Sequence, residues 1–218
     1  MSNVVAVWKP RGPSSNQFLN RIRAITGVRK IGHAGTLDPL AEGVLVIGIG
    51  NEGTKALAQL VANEKEYRAE IRLGVSSTTD DEEGEKMELL PSHIPTRQNI
   101  EVVLRNFVGA IHQVPPVFSA IKVSGQRAYR LARAGKPLKL AARSVIVKEI
   151  ELVDYNWPNL ALRVVTGPGV YIRSLARDIG VACGGGGYLT GLTRIRVGDF
   201  SRTEVVSLEG LVARFRSE

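Results

Sequence analysis

Residues 32–50 read GHAGTLDPLAEGVLVIGIG. The second half, Val44 to Ile49, is nearly all apolar, which suits a strand buried on both faces of a sheet. The first half is a loop with two glycines, one histidine and one carboxylate, Asp38, placed just before Pro39 where the chain turns back into that strand. Taken alone, an aspartate before proline is a turn residue or a helix cap.

Toward the N-terminus, NVVAVWKP (3–10) predicts a strand ended by Pro10. The stretch SSNQFLNRIRAITG (14–27) predicts a helix: Ser14 and Gln17 stand at capping-box spacing, Phe18, Ile22 and Ile25 recur at helical spacing, and Gly27 closes it. Toward the C-terminus, Thr54 is expected to cap a short helix, KALAQLVAN (55–63). KEYRAEIRLGV (65–75) alternates cleanly, with Tyr67, Ala69, Ile71, Leu73 and Val75 on one face, as a half-buried strand does. TTDDEEGE (78–85) reads as an acidic, exposed turn, followed by a helix from about Gln98 to Val108.

RSVIVKEIELVDYNW (143–157) and LALRVVT (160–166) predict strands. GPGVYIRSLARDIGVA (167–182) turns on Gly167-Pro168-Gly169 into a helix with Ile172, Leu175 and Ile179 on one side. CGGGGYL (183–189) reads as a helix stop and flexible link to a last strand near Ile195 to Phe200, and Ser207 to Phe215 as a terminal helix. Strands grouped in succession, with helices between only some of them, favour an α+β fold over strict βαβ alternation. No repeat or long linker divides the chain, so a single domain over 1–218 is expected.

The 218 residues are 44% hydrophobic and 23% charged, values of a folded globular chain. No apolar run approaches the length of a membrane span, and the N-terminus lacks the pattern of a secretory signal. One cysteine, Cys183, cannot form an intramolecular disulfide, which fits a reducing cytoplasm. Cys183 and the scattered His33, His93 and His112 suggest no metal site. The net charge is +8 and is unevenly spread. From residue 102 to 148 there is no acidic residue, while Arg105, Lys122, Arg127, Arg130, Arg133, Lys136, Lys139, Arg143 and Lys148 contribute nine positive charges. With those nine set aside from the 29 basic residues, the rest of the chain, with its 21 acidic ones, is close to neutral. Such a field attracts polyanions through counterion release, unless it is simply a solvated basic face.

Two motif-like stretches fail on inspection. GNEGTK (50–55) has threonine before lysine and the wrong glycine spacing for a phosphate loop, and glycines 184–187 follow a helix rather than a strand.

Several ordered segments together resemble the TruB-type pseudouridine synthases: WKPRGPSSN (8–16), GHAGTLDPLAEGVLVIGIG, EKEYRAEIRLG (64–74), TTDDEEGE, VPPVFSAIKVSGQRAYRLARAG (114–135), GVYIRSLARDIG (169–180) and LTRIRVGDFS (192–201). The resemblance implies the pseudouridine synthase fold, a central mixed, largely antiparallel sheet flanked by helices. It also implies isomerisation of uridine 55, in the T loop of transfer RNA, without a cofactor. Asp38 is then the nucleophile that breaks the bond between uracil N1 and the ribose. A carboxylate suits the task because it is ionised at neutral pH without a partner base. Attack on the sugar, attack on C6 and a glycal route all remain open. Arg173 is expected to pair with Asp38; Tyr67 to stack on the uracil, or to serve as core packing; Tyr171 and Leu192 to line the pocket; His33 to contact the T loop. Lys9 and Pro10 read as supports for the loop.

A uridine stacked inside folded RNA must be flipped out, at a few kcal/mol, with aromatic stacking returning roughly 1–3 kcal/mol per base. The expected partner is the T stem and loop of transfer RNA, bound by a monomer with no protein partner, cytoplasmic and away from membranes. With LVARFRSE (211–218) as the last residues, the small C-terminal RNA-binding domain of PUA type that bacterial members commonly carry is expected to be absent. GGGGYLTGLTR (184–194) departs from the family's glycine-alanine-histidine stretch, so a looser loop is expected there. A non-catalytic RNA-binding or RNA-folding protein on the same scaffold is the competing reading, though it would gain nothing from keeping the carboxylate; a guided synthase with another RNA target is a third.

Overall fold

A computed structural model describes residues 3–119, 121–123, 125–134, 138 and 140–215. In chain order the elements are β1 (Val4–Lys9), α1 (Ser15–Thr26), β2 (Ile31–His33), β3 (Ala41–Ile49), α2 (Gly50–Leu60), β4 (Lys65–Leu73), β5 (Val75–Ser77), β6 (Lys86–Glu88), α3 (Arg97–Arg105) and β7 (Gly109–Gln113). They continue with β8 (Lys122–Val123), β9 (Gln126–Arg127), α4 (Ala128–Arg133), β10 (Arg143–Asn156), β11 (Asn159–Thr166), α5 (Ile172–Ala182), β12 (Gly187–Val197) and α6 (Leu208–Phe215). Two compact units are built from them, and β4, β11 and β12 contribute residues to both.

The first unit comprises residues 1–68, 165–168 and 192–218. Its centre is β3, flanked by antiparallel β1 (Val4 opposite Gly48, Trp8 opposite Val44) and antiparallel β2 (Ile31 opposite Ile49), and joined in parallel by β12 (Leu192 opposite Ala41). The sheet is therefore mixed. The period-two pleat of β3 divides its buried side chains between two faces. Leu45, Ile47 and Ile49 pack with Phe18, Leu19 and Ile22 of α1 and Leu211 of α6, whereas Val44 and Val46 pack with Leu57 of α2 and Val197. Helix α1 starts with the expected reciprocal capping box, in which Ser14 Oγ accepts from the Gln17 N–H and Gln17 Oε1 from the Ser14 N–H, and ends on left-handed Gly27.

Helix α2 differs from expectation. It begins at Gly50, so Thr54 lies inside it and returns its hydroxyl to the carbonyls of Gly50 and Asn51 instead of capping. The acidic Glu52 in the first turn gives the favourable dipole charge that a cap would otherwise share.

The second unit comprises residues 69–164 and 169–191. Strands β7 and β10 pair antiparallel (Gln113 opposite Arg143), β5 and β6 form a small antiparallel ribbon, and α3 and α5 supply helices. Alternation groups Val75 with β4, but Gly74, at φ 79°, breaks the strand before it. The glycine run is not loose. The Gly186 N–H donates to Leu89 O (2.7 Å), the Gly74 N–H donates to Gly186 O (2.9 Å), and a Cβ on Gly186 or Gly187 would fall 2.6 Å from backbone atoms. Strand β12 accordingly starts at Gly187, eight residues before the expected position. Both units are sheet flanked by helices, and the fold class is α+β with a mixed sheet.

Candidate active site

In the first unit β2 ends at His33, and the Ala34 N–H still bonds Val46 O at 2.9 Å before the chain leaves the sheet. Gly35 follows at φ 106°, a conformation that side chains oppose. Leu37 drops into the core, and Ser15 Oγ both accepts from its N–H (2.8 Å) and donates to its carbonyl (2.9 Å). The Ala41 N–H closes back onto Asp38 O (3.0 Å), and the Gly12 N–H bonds Pro39 O (2.8 Å). The half-buried Asp38 thus sits on a loop whose main chain is tied on both sides of it.

Three cations lie close to this loop. Lys9 Nζ donates to Ala41 O (2.7 Å) and Pro10 O (2.9 Å), confirming its reading as a loop support. The Arg194 guanidinium donates to Val44 O (2.7 Å) and Gly35 O (3.1 Å). Lys65 Nζ donates to Val61 O and Asn63 O. All three are buried. Burial pushes Lys9 down to about 8, reinforced by Arg194, while Asp38 and Glu42 pull the other way; burial and Arg194 likewise bring Lys65 to about 8. Burial and then Arg194 also lower His33, which favours the neutral imidazole at neutral pH, and among the described residues its Nδ1 meets no hydrogen-bond partner.

These lysines predict an inverted pH response. Each gives up its proton near pH 8 when folded but keeps it to about 10.5 when unfolded, so above pH 8 the unfolded state binds more protons and stability rises with pH. Above about pH 9 the half-buried Cys183 thiol, which desolvation pushes up to about 11, works in the opposite sense. Urea unfolding is expected to show a gain on the order of 1 kcal/mol from pH 8 to 9, and Lys Cε resonances should show two lysines titrating near 8.

Tyr67 is buried on the inward face of β4, Leu192 is half-buried opposite Ala41 of β3, and both belong, with His33 and Asp38, to the first unit. Tyr171 and Arg173 belong to the second. Tyr171 precedes α5, and the buried Gln113 amide grips its main chain from both sides: Gln113 Oε1 accepts from the Tyr171 N–H (2.8 Å) and Gln113 Nε2 donates to its carbonyl (3.1 Å). Arg173 is buried, donating to the carbonyls of Thr79 (3.2 Å) and Phe118 (3.0 Å) and pairing with Asp81 Oδ2 at 3.2 Å.

The acidic turn is therefore only partly exposed, contrary to expectation. Asp80 and Asp81 are buried because each meets an arginine of α5: Asp81 meets Arg173, and Asp80, held at φ 60°, meets Arg177 at 2.8 Å. Asp81→Asn keeps the shape but removes the charge from this pair. The variant is expected to lose about 1.5–3 kcal/mol, measured by urea unfolding at neutral pH.

Ser15 and Arg194 escaped the sequence reading. Ser15 looks like an ordinary first-turn residue, and Arg194 alternates along a strand as a solvent-facing arginine would. The one available signal was the serine doublet, since Ser14 alone completes the cap. Among the described residues no group of three or more His, Cys, Asp or Glu could hold a metal ion, and no helix is long and apolar enough to cross a membrane. Of the basic segment, Lys136, Lys139 and the side chains of Lys122, Arg127 and Arg133 lie outside the described residues.

The family model described as TruB family pseudouridylate synthase (N terminal domain) matches residues 23–172. The tRNA pseudouridine synthase B of Thermobifida fusca is 46% identical over 220 residues, 97% of this chain and 75% of that protein. The protein of the same name from Phocaeicola vulgatus is 46% identical over 207 residues, 92% of this chain and 88% of that one. Among solved structures, a chain of a Cbf5-Nop10-Gar1 complex superposes with TM-score 0.74 at 30% identity, over 96% of this chain and 53% of that one. A chain of an H/ACA RNP bound to a substrate RNA containing 2'-deoxyuridine gives TM-score 0.70 at 28% identity, over 96% and 52%. This chain spans about half the length of those two.

Proposed function

Because this chain belongs to the TruB family of pseudouridylate synthases and is an isomerase of that kind, we propose that it converts uridine 55 in the T loop of transfer RNA to pseudouridine, with Asp38 as nucleophile. The observation that carries the assignment of Asp38 is its presentation. It is half-exposed on a loop tied at Leu37, Asp38, Pro39 and Ala41, with the buried Lys9 ammonium close enough to feel its charge.

The target base must leave the RNA stack to reach such a loop. In the first unit His33, Tyr67 and Leu192 are assigned to substrate contact, with Tyr67 as the aromatic surface for the uracil. In the second, Tyr171 and Arg173 are assigned likewise. Gln113 and Asp81 fix their geometry. The reaction breaks the N1–C1′ bond and forms C5–C1′, with the C5 proton passing to solvent and a proton taken up at the freed N1, so atoms and charge balance; it needs no redox partner. The protein acts on transfer RNA in the cytoplasm as a monomer, and the basic stretch from 102 to 148 supplies phosphate contacts that weaken as salt rises.

The test is positional. An unmodified transfer RNA transcript incubated with the protein is expected to acquire one pseudouridine, at the T-loop uridine, and none when that uridine is replaced by cytidine. Modification at another uridine, or binding without modification, would refute the assignment.

A further inference from the structure

Resting on the function proposed above, we infer that Ser15 and Arg194 are positioning residues for Asp38, fixing the three residues that precede it from two different elements. Arg194 comes from β12 and Ser15 from the first position of α1. Arg194 donates to the carbonyl of Gly35 at 3.1 Å and more distantly to Thr36 O at 3.5 Å, while Nε holds Val44 O of β3 at 2.7 Å. Ser15 takes both polar main-chain groups of Leu37. Residues 35, 36 and 37 therefore each have a buried polar side chain from elsewhere in the unit on their main chain, and residue 38 is the carboxylate.

The energetics single these groups out. A buried cation is costly, and the usual compensation is a carboxylate. Arg194 is 1% exposed and, among the described residues, forms no ion pair; its donors go to carbonyls. Lys65 and Lys9 stand close enough to feel its charge, and a Cβ on Gly35 would lie 3.4 Å from Lys65 Cε and 3.6 Å from Arg194. An arginine serving stability alone would be better replaced by an apolar side chain of similar size. Its presence despite this repulsion is explained if its fork defines the loop's path. Ser15 supports the same account, since Ser14 already caps α1 and Ser15 Oγ is committed wholly to Leu37.

Loop misplacement on the scale of 1 Å costs a reaction about 10²-fold while leaving remote binding contacts intact. Single-turnover rates and RNA dissociation constants are to be measured for wild type, Ser15→Ala and Arg194→Lys, each checked as folded by urea unfolding. The expected result is a rate on the order of 10- to 100-fold lower for both variants, with dissociation constants within about threefold of wild type. Should Arg194→Lys not fold, Ser15→Ala, which removes only one hydroxyl, decides alone. A Ser15→Ala rate equal to wild type, or a loss matched by weaker binding, overturns the inference. A wild-type protein that forms no pseudouridine overturns the proposed function itself, which the variants need not be consulted to see.

Discussion

Asp38→Asn is expected to bind transfer RNA nearly as well as wild type and to form pseudouridine slower by on the order of 10⁴-fold or more. The substitution is close to isosteric, and the loop's ties run through the main chain and through Leu37, Pro39 and Ala41, so its path should survive. What disappears is the anion. An amide oxygen is a poor nucleophile, and no neighbouring carboxylate on the loop can take over, because Asp38 is the only acidic residue between His33 and Ala41. A second consequence is electrostatic. Asp38 helps hold the proton on Lys9, so removing its charge should lower that lysine further below about 8. Nucleosides digested from the RNA and separated by chromatography report the rate; Lys9 Cε shifts report the electrostatics. A variant rate within tenfold of wild type would refute the nucleophile.

The largest effect on stability is expected at Gly43→Ala. Gly43 holds φ 120°, and a Cβ built there would lie 2.2 Å from Arg194 O and 2.7 Å from Arg194 N, both main-chain atoms on the parallel partner strand. A flexible side chain could turn aside; these atoms move only if β12 moves from β3. Backbone strain of roughly 1–3 kcal/mol and overpacking of roughly 1–3 kcal/mol together suggest about 3–5 kcal/mol, a large share of the 5–15 kcal/mol of a typical domain. Urea unfolding measures it, and a loss under about 1 kcal/mol would contradict the contact. Because the same movement shifts Arg194, whatever protein folds should also be slow.

Local rules made much of the first unit legible. The unbroken apolar run of β3 foretold burial on both faces, the Ser14–Gln17 box foretold the start of α1, and alternation foretold β4. Where the reading failed, tertiary partners decided. Thr54 has the chemistry of a cap, but the helix was already running from Gly50. The four glycines suggest looseness, yet at Gly185, Gly186 and Gly187 the main chain of Leu89, Val75, Ala176 and Gly180 approaches too closely to admit a side chain, and Gly184 holds φ 83°. TTDDEEGE suggests a solvated turn because the arginines that bury Asp80 and Asp81 lie over 90 residues away in sequence. The candidate site divides in the same way. Asp38 and its loop were conspicuous, whereas Ser15 and Arg194 act on main-chain carbonyls, which carry no sequence signature.

Release of tritium from a transfer RNA transcript labelled at C5 of its uridines bears most directly on the claim that the Asp38 carboxylate drives the isomerisation. One tritium per RNA molecule is predicted with the wild-type protein and essentially none with Asp38→Asn under conditions where both bind. Equal release from the two proteins would contradict the role given to Asp38, and no release from either would contradict the reaction.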